Sequence, residues 1–204
     1  DIIGKTKNAS VIKGGEGEDT ITFTDFSDLI VLDDIYSNFF NSRINENISA
    51  SNNPRFDSIE KIFAGKGDDI IDFSSQNYKI VHDVFIDAGK GDDIIWSSDG
   101  NDIIYGGNGE DQIFGGLGSD TLTGGSGSDT FQFTLSSGQD TITDFNISEG
   151  DKIQLWKNSY DSNAATYSSN NNDAIITWQS VSITVQNVQD YEQLNQYVEW
   201  MTIV

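Results

Sequence analysis

The chain has 204 residues, with 33 acidic and 11 basic side chains and a formal net charge of −22. That charge argues against nucleic acid and an anionic membrane surface as partners, because both carry the same sign. The absence of cysteine and the single histidine, His82, exclude disulfides, thiolate or multi-histidine metal sites and a cysteine nucleophile.

Hydrophobic content is only 36%, yet 12 Phe, 7 Tyr and 4 Trp are too many for a disordered acidic tail. A folded chain with this charge needs a bound cation. The opening DIIGKTKNAS has no apolar core of a signal peptide and reads as a point inside a longer polypeptide. No run of about 18 apolar residues is present for a membrane helix.

A repeat of nine residues begins at 14–22 with GGEGEDTIT. Glycine fills the first, second and fourth places, aspartate the sixth, and a large apolar residue the eighth. Imperfect copies surround this unit, with Asp1, Asp28, Ile3, Ile12 and Ile30 in the right columns. Residues 41–54 hold the only proline, Pro54, and read as a polar loop. Ile62 and Ile86 keep the apolar column at 55–63 and 79–87. The unit 64–72 reads AGKGDDIID, and an insertion near 73–78 then breaks the period, since Asp69 and Asp93 lie 24 residues apart. From 88 to 132 five units run without interruption: AGKGDDIIW, SSDGNDIIY, GGNGEDQIF, GGLGSDTLT and GGSGSDTFQ.

The first six places predict a turn, and places seven to nine a three-residue strand with its middle side chain inward. Glycines at places one, two and four allow positive φ and let carbonyls approach an ion closely. The aspartate adds a hard oxygen, and hard oxygen donors in a flexible loop suit Ca2+. Two units make one coil, so units n and n+2 stack. Asp93, Asp111 and Asp129 are thereby placed in one row, and Asp102 and Asp120 in the other. Carboxylates stacked about 4.8 Å apart repel when bare and attract across an ion, so folding is expected to depend on calcium.

At these residues the chain resembles the RTX family, whose GGxGxDxUx nonapeptide is a known calcium-binding repeat. The resemblance is to the C-terminal region of RTX proteins exported by type I secretion: adhesins, serralysin-type proteases, lipases, pore-forming toxins and alginate epimerases. It implies an all-β fold, a parallel β-roll followed by a β-rich cap with a short terminal helix. It also implies Ca2+ at Gly14, Gly15, Gly17 and Asp19; Ala64, Gly65, Gly67 and Asp69; Ala88, Gly89, Gly91 and Asp93. The same holds for Gly106, Gly107, Gly109 and Asp111; Gly115, Gly116, Gly118 and Asp120; Gly124, Gly125, Gly127 and Asp129. The unit 97–105 departs, with Ser97 and Ser98 for the leading glycines, so Gly100 and Asp102 form an incomplete half-site. Asp140 resembles the carboxylate that closes the last site of the family.

Beyond the repeats, 131–155 and 173–185 resemble the segment and hairpin that follow the array in these proteins. Asp190 with Gln193 predicts a capped helix at about 190–199. The tail Glu199-Trp-Met-Thr-Ile-Val is similar to an uncleaved type I export signal, with an ordinary closing strand as the compatible alternative. Trp156, Trp178 and Trp200 are expected to pack the cap, with sugar stacking as the alternative. The expected organisation is a degenerate roll at 1–63, a calcium roll at 64–132, and a capping and export-signal region at 133–204. EF-hand, P-loop, GxGxxG and GxSxG patterns are absent, and no nucleophile–base set can be named, so no enzymatic site is expected. The resemblance implies a secreted or bacterial cell-surface protein, with the type I secretion machinery (its ABC transporter complex) as export partner. A large adhesin is the preferred parent. The alternatives are the accessory domain of a secreted metalloprotease, lipase or epimerase, and a calcium-dependent module binding an extracellular glycan or other surface ligand.

Overall fold

The computed structural model describes residues 12–13, 17–23, 25–31, 56–57, 59–74, 80–158, 164–188 and 190–202. The positions Asp1, Gly14 and Gly15, the expected loop at 41–54 and most of the insertion near 73–78 lie outside these. Among the described residues the chain is a parallel β-solenoid of two large sheets, as the nonapeptide period predicts, with a separate parallel pair of Ile12–Lys13 and Phe56–Asp57.

One sheet has seven strands, in the order Val198–Thr202, Lys152–Lys157, Thr130–Thr134, Gln112–Phe114, Ile94–Trp96, Ile70–Asp72 and Leu29–Val31. The other has nine, in the order Thr166–Asn170, Asp173–Trp178, Val181–Val185, Gln139–Ile142, Thr121–Ser126, Ile103–Asn108, Phe85–Lys90, Lys61–Lys66 and Thr20–Thr22. Pairing is parallel except in the C-terminal hairpins, where Asp173–Trp178 runs antiparallel to both neighbours. The register matches the stacking of units n and n+2. Ile113 pairs with Ile95 and Phe131 on one sheet, and Ile104 with Ile86 and Leu122 on the other. The six extra residues before Asp93 leave that register intact, because Ile62 still pairs with Ile86.

The eighth-place residues meet between the sheets. Ile62, Ile71, Ile86, Ile95, Ile104, Ile113, Leu122 and Phe131 are fully buried. Each such side chain contributes roughly 1.5–3 kcal/mol, and the stripe is one residue wide because alternate strand residues face outward. Between Ile94 and Ser126 strand length departs from the expected three residues on one side only. Ile94–Trp96 and Gln112–Phe114 span places seven to nine. Ile103–Asn108 and Thr121–Ser126 continue into the next unit, because Gly107 still pairs with Gly89 and Gly125.

The C-terminal region extends both sheets. Phe133, Ile153 and Leu155 carry the buried stripe onward, and Phe131 meets Phe145 with ring centres 6.2 Å apart. Trp178 is fully buried and packs edge-on against Trp200 at 5.4 Å, the core role expected of these tryptophans. The terminal helix is shorter than predicted. An α-turn at Tyr191–Leu194 and a 3-10 turn at Asn195–Tyr197 give way to the strand Val198–Thr202, which pairs with Lys152–Lys157. Sheet pairing of Val198 with Ile153 wins over continued helix. The cap itself is as read, with Asp190 Oδ1 accepting the Gln193 N–H at 3.0 Å. His82, shortly after the insertion, lies with Nε2 3.2 Å from the Ile59 carbonyl oxygen.

Candidate metal centre

The six-residue turns fall on two edges of the roll. Turns 64–69, 88–93, 106–111 and 124–129 lead from the nine-stranded sheet to the seven-stranded one and form the first edge. Turns 97–102 and 115–120, and the segment ending at Asp140, lead back and form the second edge.

On each edge the sixth-place aspartates make a ladder. Asp69 N–H donates to Asp93 Oδ1 at 2.7 Å, Asp93 N–H to Asp111 at 2.8 Å, and Asp111 N–H to Asp129 at 3.0 Å. The ladder extends to Asp28, whose N–H donates to Asp69 at 2.6 Å, and to Asp151, which accepts from Asp129 N–H at 3.0 Å. On the second edge Asp102 N–H donates to Asp120 at 2.8 Å, and Asp120 N–H to Asp140 at 3.0 Å. Every donor lies one turn earlier in the chain than its acceptor. The two rows of aspartates are those expected from the 18-residue coil, and Asp140 closes the second.

These bonds use one oxygen of each carboxylate. The other is left over: Oδ2 of Asp69, Asp93, Asp111, Asp120 and Asp129 is buried and has no hydrogen-bond donor. The ion pairs of the described repeats, such as Lys66 with Asp25 and Lys61 with Glu18, sit on the surface and away from these five carboxylates. Burial is the main cause of raised carboxyl pKa values here. Asp93 and Asp120 are pushed up to about 8, Asp129 and Asp140 to about 7, and Asp69 and Asp111 to about 6. The ladder N–H bonds pull the other way. Neighbouring carboxylates add to the rise, Asp111 and Asp69 for Asp93, and Asp140 and Asp102 for Asp120.

The glycines hold open the space these oxygens face. A Cβ at Gly106 would lie 2.5 Å from Asp111 Oδ2 and 2.7 Å from the Gly124 carbonyl oxygen, so a carboxylate and a carbonyl of the next turn converge there. Added Cβ atoms at Gly115 and Gly124 would likewise strike Asp120 and Asp129. At place two, Gly107 has φ +117° and sits against the Gly89 carbonyl. Within the described repeat units positive φ falls at places two and four; the first-place glycines are small for the carboxylate's sake and not for their backbone. No cluster of three or more His, Cys, Asp or Glu side chains able to hold a metal occurs among the described residues. A cation here draws on carbonyls as well as paired carboxylates. Orphaned buried carboxylate oxygens, with carbonyl oxygens converging beside them, are hard donors that fit a calcium ion.

The remaining predicted positions fall out unevenly. Ala64 and Ala88 are fully buried at place one. Gly65, Gly67, Gly89, Gly91, Gly109, Gly116, Gly118, Gly125 and Gly127 all adopt positive φ in their turns. Gly17 does too, but nothing lies within 4 Å of a Cβ added there. Asp19 N–H is bound by Glu60 Oε2 at 2.8 Å, which makes Glu60 the second-edge counterpart of a ladder aspartate. Gly100 packs on the His82 carbonyl. Asp102 stands apart: its Oδ2 accepts from Ser97 Oγ–H at 2.5 Å and from Ser98 N–H and Oγ–H at 3.1 Å.

Sequence reasoning missed a second ladder at place five. Asp92 N–H donates to Asp68 Oδ1 at 3.0 Å, and Glu110 N–H to Asp92 Oδ1 at 2.9 Å. Asn101 and Ser119 continue it on the second edge, with Asp83 and Asn101 as acceptors. Here each acceptor lies one turn earlier than its donor, so adjacent residues staple the coil in opposite directions. The run of Asp, Asn, Glu and Ser at place five was its signal.

The two sheets and the buried aspartate ladders define a calcium-type repeat roll. The RTX calcium-binding nonapeptide repeat matches the chain in four copies, at 8–30, 60–80, 85–113 and 96–131, and the chain carries an RTX β-roll. Repeats of this family bind Ca2+. Among solved structures, the crystal structure of extracellular lipase LipA from Serratia marcescens is similar at 14% identity and a TM-score of 0.38. The alignment covers 95% of this chain and 40% of the lipase chain. No curated protein sequence matches the chain. No helix among the described residues is long and apolar enough to cross a membrane.

Proposed function

We propose that this chain is a non-catalytic calcium-binding folding module of a secreted or cell-surface protein. The observation that carries the reading is the set of buried, donorless Oδ2 atoms on successive rungs of the first edge. On the first edge Asp69, Asp93, Asp111 and Asp129 would hold calcium, and on the second edge Asp120 and Asp140 would. Carbonyls of the glycine turns, such as that of Gly124 near Asp111, would add neutral oxygen donors. Bound Ca2+ supplies the positive charge that the buried carboxylates lack. The protein's part is to aim the carboxylates through the N–H ladder, exclude side chains from the cradle, and lock the strands once the turns are neutral.

Residues 64–132 are the calcium-loaded part, 133–204 the cap and export-signal region, and 1–63 a degenerate entry to the same roll. In a low-calcium cytoplasm the bare carboxylates keep the chain extended and threadable through a type I exporter. Extracellular calcium, at or above the roughly 10⁻⁴–10⁻³ M dissociation constants of such modules, then folds it. Asp151 supports a capping role for the C-terminal region, because its oxygens bind Asp129 N–H and Asn146 N–H at 3.0 and 2.8 Å without a metal. The preferred parent is a large adhesin.

The test is a calcium titration of the chelator-treated chain by far-ultraviolet circular dichroism. A coil spectrum should convert to β signal at or below millimolar calcium, with magnesium ineffective because it demands tight octahedral geometry. An unchanged β spectrum in strong chelator overturns the reading.

A further inference from the structure

The second edge of the roll is interrupted where the first is continuous. Asp102 occupies the ladder position and is 1% exposed, yet it has no oxygen to spare. Its Oδ1 accepts Val84 N–H at 2.9 Å, and its Oδ2 takes the three donors of Ser97 and Ser98. Both serines are buried, at 2% and 4% exposure.

We infer that Ser97 and Ser98 form a metal-independent latch on Asp102, so that this rung of the second edge closes without calcium while the opposite edge loads ions throughout.

Two independent features agree. At the place held by Ser97, other units carry Gly106, Gly115 and Gly124, where an added Cβ would run into the repeat's own aspartate oxygen. Serine puts a side chain there, and its hydroxyl is what meets that oxygen. The hydroxyl satisfies the carboxylate as a donor, where other units leave that oxygen without one. The preceding turn of this edge has Val84 in the aspartate column, 2% exposed. A cation between Val84 and Asp102 would find one carboxylate, already spoken for, and an apolar wall. Asp120, the next rung, keeps a free Oδ2, and its remaining partner is Asp140 on the far side. The latch therefore separates the Asp120–Asp140 gap from the insertion.

This inference rests on the calcium reading above, and the experiment separates the two. Native mass spectrometry of the full chain at saturating calcium counts bound ions in the parent, in Asp102→Asn, in the double variant Ser97→Gly/Ser98→Gly, and in Asp111→Asn. Asparagine keeps an oxygen for Val84 N–H, so Asp102→Asn retains the rung. It should bind as many ions as the parent, while Asp111→Asn binds fewer. The double variant frees Asp102 opposite Asp120 and the Gly115–Gly116 turn, and should gain one ion. An ion lost in Asp102→Asn, or an unchanged count in the double variant, overturns the latch and leaves the calcium reading standing. No ions on the parent chain overturns both.

Discussion

The two edges of the roll are built from the same nonapeptide, yet only one is uniform. The first carries Asp69, Asp93, Asp111 and Asp129 in unbroken succession, each with a buried unpartnered oxygen. The second has Glu60, Val84 and the serine-bound Asp102 where its partner edge has free aspartates, and it also takes the insertion. One ordered edge is enough to set strand register, because each coil crosses both edges. The other edge can then trade ion sites for hydroxyl donors or apolar packing. Repetition matters where charge must be neutralised and is dispensable opposite.

The largest break in this comparison comes from removing one aspartate on each edge. Asp111 faces two gaps, to Asp93 and Asp129, whereas Asp120 has one open gap, to Asp140. Asp111→Ala should disturb two ions, raising the calcium midpoint at least tenfold and costing on the order of 3–5 kcal/mol, the scale for stripping one partner from a buried charged pair. Asp120→Ala should cost about half as much. Calcium titrations followed by circular dichroism decide it, and equal midpoints would show that the edges share the load.

A second large effect is expected from pH on the calcium-stripped chain. Unfolded aspartates titrate near 3.9, while Asp93 and Asp120 in the fold are held at about 8 and Asp129 and Asp140 at about 7, chiefly by burial. A carboxyl with a higher pKa in the fold keeps its proton preferentially there. The stripped fold is therefore least penalised near pH 4 and loses stability as pH rises from about 4 to 8. With calcium present the dependence reverses, because protons compete for the same oxygens. Dialysed protein should show more β signal at pH 5 than at pH 8; a flat profile would contradict the burial of these groups.

Glycine substitution probes the edges through backbone alone. Gly107 pairs in the sheet on both sides, with Gly89 and Gly125, at φ +117°. Gly116 has a similar φ of +103° but meets Ser98 outside any strand pairing. Each alanine variant bears the cost of a strained φ, about 1–3 kcal/mol. A Cβ at either position meets a carbonyl oxygen of the preceding turn, that of Gly89 or that of Ser98, but only Gly107 and Gly89 are paired strand residues, so Gly107→Ala should lower the melting temperature of the calcium form more than Gly116→Ala. The reverse order would mean that the shorter strands carry the sheet.

Much of this arrangement was legible in the residues. The 18-residue coil, the buried stripe from Ile62 to Phe131 and the two aspartate rows follow from one period and the difference between glycine, aspartate and isoleucine. Ser97 and Ser98 marked the defective unit. What escaped reading lies in contacts that period alone does not set. Asp151 stands 22 residues beyond Asp129, off the nonapeptide frame, and is recruited only because the cap returns the chain to the first edge. Val84 and Glu60 occupy the aspartate column in units whose glycines are gone. The helix was drawn too long because Val198 to Thr202 suits a helix or a strand locally, and only the free edge of Lys152–Lys157 decides between them.

The smallest effect isolates the outer ladder. Asp92 and Asn101 each accept one backbone N–H from the following turn, at 2.9 Å, and both are exposed. Removing either side chain leaves that N–H free to bond water, so alanine should cost only about 0.5–1 kcal/mol. The two differ in charge. Asp92 lies close enough to Asp111 to raise its pKa, so its carboxylate also attracts a cation held by Asp111. Asp92→Ala should therefore weaken calcium binding slightly more than Asn101→Ala at low salt, and the gap should close as the Debye length shrinks to about 3 Å near 1 M salt. A difference that survives high salt would assign Asp92 a structural role beyond its charge, and the asymmetry of the edges would then extend to the outer ladder.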